Sequence, residues 1–151
     1  HNKCSCLRYR PWAQRFKRSW RQIPWLRQLT DTHSLVEAAK QLQALGPRYV
    51  IIKKGEHGAL LFHENKIFCA PGLPLEEVFD PTGAGDSFIG GFAGYLSQRG
   101  KITFDEMKAA VIMGSAMASF TVQKFGTECL ETLTREQLHQ RMLAVKSLSE
   151  F

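Results

Sequence analysis

Residues 79–90 read FDPTGAGDSFIG. Three small residues, Gly83-Ala84-Gly85, stand directly before an acid, Asp86, at what reads as the start of a helix. In such a bend, backbone N–H groups converge at the positive end of the helix dipole and can take an anion. Glycine and alanine suit the position because bulk would keep a phosphate away from the amides. The stretch is not a Walker A loop, which needs a lysine and a hydroxyl after its last glycine. An acid follows instead, and beside a phosphate cradle a carboxylate repels the anion, so it needs another task. The chemistry it fits is accepting the proton of a hydroxyl that attacks phosphorus. The plainer alternative is that Asp86 only caps the helix, and G-A-G-D alone leaves the two level.

The elements that must position this stretch are readable from residue 31 onward. Ser34-Leu-Val-Glu37 is a capping box opening a helix to about Leu45, with Leu35, Ala38, Ala39, Leu42 and Leu45 on one side and Gly46-Pro47 as its stop. Tyr49-Val50-Ile51-Ile52 predicts a buried, parallel-type strand. A turn over residues 53–58 follows, and Ala59–Phe62 with Lys66–Cys69 predict a hairpin about His63-Glu64-Asn65. Glu77–Phe79 reads as a short strand running into the glycine motif. A helix is expected from Asp86 to about Gln98 despite Gly90, Gly91 and Gly94, each costing about 1 kcal/mol relative to alanine. That cost is tolerable where the helix packs closely or its start approaches a ligand. Two more capping boxes, Thr103-Phe-Asp-Glu106 and Thr134-Arg-Glu-Gln137, open a small-residue helix to about Val122 and a final helix through Val145. Alternating helices and short strands make the chain α/β.

Charge splits the chain in two. Residues 1–30 hold eight basic side chains, no acid and all three tryptophans, Trp12, Trp20 and Trp25, which leaves the remainder with 12 basic against 14 acidic groups. Basic residues interleaved with aromatics suit RNA or single-stranded DNA; a solvated basic tail is the blander reading. The reading preferred here is a segment foreign to the fold, produced by a frame change or truncation. No apolar stretch approaches the roughly 20 residues that span a bilayer. Cys4, Cys6, Cys69 and Cys129 are too scattered for a disulfide framework or a zinc knuckle, which points to a reducing, cytoplasmic setting.

D-P-T-G-A-G-D-S-F-I-G-G resembles the C-terminal signature of the ribokinase-like (PfkB) carbohydrate kinases, D-[TP]-x-G-A-G-D. Val50 to Gly58, V-I-I-K-K-G-E-H-G, resembles the family's strand and nucleotide turn, and the small-residue helix with Lys124-Phe125-Gly126 resembles its adenine-flanking segment. The resemblance spans about residues 31–151. It implies a mostly parallel sheet flanked by helices, with a hairpin, and transfer of the ATP γ-phosphate to a hydroxyl of a sugar or nucleoside. Asp86 would be the catalytic base, and Gly83, Ala84 and Gly85 the anion hole. Asp80 and Thr82 would shape the loop, near a monovalent cation in some members. Lys54, Gly55 and Gly58 would meet the nucleotide, and Ser115 and Gly126 would lie near its base. ATP and Mg²⁺ are the implied cofactors, with no metal held by a dedicated residue set.

The family's Asn-x-x-Glu motif and the Gly-Gly hinge of its substrate-binding half are absent from these 151 residues. The expectation is therefore an incomplete domain that carries the nucleotide side and turns over poorly by itself. No residue reads the acceptor, and nothing signals the oligomeric state. Two other functions are carried along: an RNA-binding module through the basic start, and a serine hydrolase built on Gly85-Asp86-Ser87. The hydrolase would need a histidine to activate Ser87, and only His139 follows it.

Overall fold

A computed structural model describes residues 20–22, as backbone, and residues 30–150. The chain divides into two compact units, one running to Lys54 and including Leu60–Ile67, the other made of Gly55–Ala59 and Phe68–Phe151. Strands β1 (Trp20–Gln22), β2 (Tyr49–Lys53), β3 (Ala59–His63) and β4 (Lys66–Ala70) follow in chain order across one sheet. β1 and β2 are parallel, with Trp20 opposite Ile51. Two residues join β3 to β4, and Glu64 takes φ +50° there, so this pair is a hairpin as expected.

In the first unit, helix α1 (Leu35–Ala44) lies on β2. Ser34 starts it by accepting the Glu37 N–H at 3.3 Å, and Gly46, at φ +118°, ends it. Its buried face, Ala38, Ala39 and Leu42, packs with Val50, Ile52 and Phe62. Three consecutive buried residues, Val50–Ile52, confirm a strand covered on both sides.

The second unit carries the glycine motif. Helices α2 (Ala84–Ser97) and α3 (Phe104–Thr121) form its centre, followed by the short α4 (Glu128–Glu131) and α5 (Arg135–Ser147). Two glycines let α2 and α3 meet closely. A Cβ on Gly91 would lie 2.6 Å from Met117 Cγ, and one on Gly114 would lie 2.7 Å from the Phe88 carbonyl oxygen. Phe88, Phe92 and Leu96 of α2 are buried, as are Met107, Ala110 and Val111 of α3. α5 packs on α3, burying Val145, and holds the Arg141 guanidinium 4.0 Å above the Phe120 ring.

Three local expectations change. Glu77–Phe79 is irregular rather than a strand. Instead of a neighbouring strand it meets the end of the following helix, where the Val122 carbonyl accepts the Phe79 and Asp80 N–H groups at 2.8 and 3.4 Å. α2 begins at Ala84, two residues before the acid. Only Thr134 and Gln137 form a reciprocal capping box; Thr103 accepts the Glu106 N–H, but the Glu106 carboxylate turns to Arg99 Nε at 3.1 Å.

Candidate active site

The loop from Asp80 to Ser87 is built by three constraints. Asp80 Oδ1 accepts the Thr82 N–H at 2.9 Å, closing an Asx turn. Thr82, through its hydroxyl and then its amide, holds the Asp80 carboxyl below the ordinary aspartate range. Gly83 then takes φ +81°, ψ −10°, the left-handed region, as the residue that opens α2. The third constraint comes from α3. The Thr121 hydroxyl, on a residue 2% exposed, shares a 2.7 Å hydrogen bond with the Ser87 hydroxyl and reaches the Met117 carbonyl at 3.3 Å.

This geometry decides which amides are available. The Ala84 N–H bonds back to the Pro81 carbonyl at 3.2 Å, and the Ser87 N–H to the Gly83 carbonyl at 2.9 Å. Those of Gly83, Gly85 and Asp86 have no hydrogen-bond partner among the described residues. They are orphan donors of a helix start and lie on the surface rather than in a core. Of the expected trio, the Gly83 and Gly85 amides are free, as is that of Asp86, while the Ala84 amide closes the turn. The Asp86 carboxylate, in the first turn of α2, is exposed and makes no hydrogen bond or ion pair among the described residues. As a helix cap it does no hydrogen-bonding work, since the cap residue is Gly83.

The other candidates fall at separate places. Gly55 (φ +62°) and Gly58 (φ +85°) begin and follow the 3₁₀ turn Gly55–His57, which the Gly58 N–H closes on the Gly55 carbonyl at 3.1 Å. Gly58 has no free space: a Cβ there would strike the Ala70 carbonyl oxygen and lie 2.6 Å from the Gly72 nitrogen. Its small size serves this close passage of two backbones, whereas Gly55 is open to solvent. Lys54, half-buried, ends the first of the two segments that make up the first unit. Ser115 is half-buried in α3, six residues before Thr121 and so about 9 Å along the helix axis. Gly126 (φ +58°) is exposed in the loop after α3, next to Phe125, whose ring meets that of Phe79 edge-on at 6.3 Å. Phe79 and Phe125 are 59% and 63% exposed.

Thr121 and Val122 escaped the sequence reading. They stand at the end of the small-residue helix, past the positions singled out in it, and a hydroxyl aimed at another helix leaves no periodic signal. The hydroxyl proposed as a hydrolase nucleophile, that of Ser87, is bonded to Thr121, and no histidine bonds it among the described residues. No group of three or more His, Cys, Asp or Glu side chains gathers to hold a metal among those residues.

Comparison with known proteins agrees with this architecture. The family model described as pfkB family carbohydrate kinase matches residues 21–133, and so begins within the basic segment. A cytidine kinase of Thermococcus kodakarensis is 36% identical over 101 residues, covering 65% of this chain and 34% of that protein. The crystal structure of aminoimidazole riboside kinase from Salmonella enterica, complexed with aminoimidazole riboside and an ATP analog, superposes with a TM-score of 0.72. It is 29% identical and covers 82% of this chain and 41% of that one. Ribokinase from Thermotoga maritima gives a TM-score of 0.68 at 29% identity, with the same coverage of 82% and 41%. The fold is the ribokinase-like α/β fold, in part. The chain belongs to the pfkB family of carbohydrate kinases, and it spans about a third of the length of the curated relatives it matches.

Proposed function

We propose that this chain supplies the nucleotide-handling part of an ATP-dependent phosphotransferase whose acceptor is a hydroxyl of a sugar or nucleoside. One observation carries the reading: three unpartnered amides, of Gly83, Gly85 and Asp86, open α2 beside an unpaired carboxylate in the same turn. The amides would bind oxygens of the transferred phosphoryl, where charge grows in the transition state and fixed donors are most effective. Asp86 would take the acceptor's proton as its oxygen bonds to phosphorus and ADP leaves. Family membership supports the same chemistry, as do relatives named for nucleoside and sugar acceptors.

Magnesium would neutralise phosphate charge. It would draw most of its ligands from ATP and water, with Asp80 and Asp86 as the nearby carboxylates of the loop. A reducing cytoplasmic setting belongs to the same reading.

The test uses a kinase completed with the remaining portion of a pfkB relative, assayed for γ-phosphate transfer to sugars and nucleosides. Asp86→Asn is expected to lower kcat by about 10²–10⁴-fold with little change in the KM for ATP. Wild-type turnover in that variant would remove Asp86 from the mechanism.

A further inference from the structure

The end of α3 touches the glycine loop on both flanks. Before the loop, the Val122 carbonyl accepts the Phe79 and Asp80 N–H groups. After it, the Thr121 hydroxyl meets that of Ser87 at 2.7 Å, one residue beyond the free carboxylate of Asp86. Between these points, a Cβ added at Gly83 would come within 3.7 Å of the Thr121 methyl, so the left-handed residue faces that side chain with room to spare. Thr121 is almost fully buried, and a buried hydroxyl costs stability unless it is bonded. Its bonds go to its own helix, at Met117, and to α2, at Ser87. Valine fills the same volume but makes neither bond; serine keeps the hydroxyl without the methyl.

We infer that Thr121 is the positioning residue of the phosphate loop: its hydroxyl, through Ser87, holds the Gly83, Gly85 and Asp86 amides in their anion-facing arrangement. The inference rests on the phosphate-loop reading above. It also gives the segment after α3 a physical link to the loop, because Val122 both ends that helix and carries the amides of Phe79 and Asp80. A group bound near residues 122–126 and a phosphate at Gly83 would then sense one shared anchor.

The experiment follows ¹⁵N amide shifts of the 151-residue chain as ATP is added, in wild type, Thr121→Val, Thr121→Ser and Ser87→Ala. Expected are shifts centred on Gly83, Gly85 and Asp86 in wild type and binding weakened roughly three- to tenfold in Thr121→Val, the scale of one lost hydrogen bond. Binding should recover in Thr121→Ser. Ser87→Ala removes the same bond from a less buried position and should weaken ATP equally, which decides the matter if Thr121→Val does not fold. Shifts and affinities unchanged in both Thr121→Val and Ser87→Ala would overturn the positioning role while leaving the phosphate loop standing. A wild-type chain in which ATP moves none of those three amides would overturn the loop reading, and the inference with it.

Discussion

At the scale of single residues, two features of the loop make separable predictions. Gly83 is required by its dihedral angle and not by space, because the nearest side-chain atom to a Cβ there would be at an ordinary 3.7 Å. Gly83→Ala should therefore cost about 1–2 kcal/mol, the price of a left-handed alanine, seen as a lower urea midpoint with an unchanged slope. A neutral result would mean that the loop relaxes to another conformation at no cost. Asp80 has a carboxyl pKa lowered in the fold from 3.8 by its bonds to Thr82. A group depressed in this way adds stability that is present above the unfolded value and is lost as pH falls through the folded one. The Asx turn should thus persist at pH 4 and open only below it. A carboxyl ¹³C titration checks this, and Thr82→Ala should move the midpoint upward. Gly83 and Asp86 were legible in the sequence because a left-handed turn residue and an acid in the first turn of a helix are both local signals. The division of labour among the amides was not, since it depends on whether the Ala84 N–H turns back to Pro81.

At the scale of elements, the glycines of α2 and α3 should differ in sign. Gly114 lies against the Phe88 backbone, and Gly114→Ala should destabilise by about 1–3 kcal/mol through overpacking. Gly90 and Gly94 have nothing within 4 Å of an added Cβ, so alanine at either should stabilise by up to about 1 kcal/mol. Thermal melts of the three variants distinguish a packing role from a merely tolerated glycine; equal shifts would contradict the close approach of α2 and α3. The sequence treated these glycines alike, because helix propensity counts residues and cannot see the neighbour. Helices and the hairpin were read well for the opposite reason: caps such as Ser34 and Thr134, stops such as Gly46, and the buried run Val50–Ile52 are local signals. The expected strand at Glu77–Phe79 failed because a strand exists only with a partner, and these residues meet the Val122 carbonyl at a helix end instead. The one-sided cap at Thr103 has a similar cause, as the Glu106 carboxylate has the competing partner Arg99.

For the whole molecule, coverage of about a third of a curated relative bears on activity more than any single contact does. Alone, the chain is expected to bind ATP but to phosphorylate sugars and nucleosides poorly or not at all; robust turnover by these 151 residues would show that the remainder of the family fold is dispensable. The basic, tryptophan-rich start makes a separate prediction. Its reading as an RNA-binding or foreign segment lies outside the described residues, apart from the backbone of Trp20–Gln22, where β1 pairs with β2. The family match begins at residue 21, so removing residues 1–19 should leave ATP binding intact. If it instead abolishes ATP binding, the basic segment belongs to the nucleotide site; salt-dependent RNA retention lost on the same removal would mark a second function.

The Phe79–Phe125 pair carries a practical consequence for a cell that makes this polypeptide. Two aromatic rings left more than half in water beside an irregular segment are the features that quality-control machinery binds. Its abundance would then be governed by triage more than by the strength of its helices, and replacing both rings with serine should lengthen its half-life in a pulse-chase measurement.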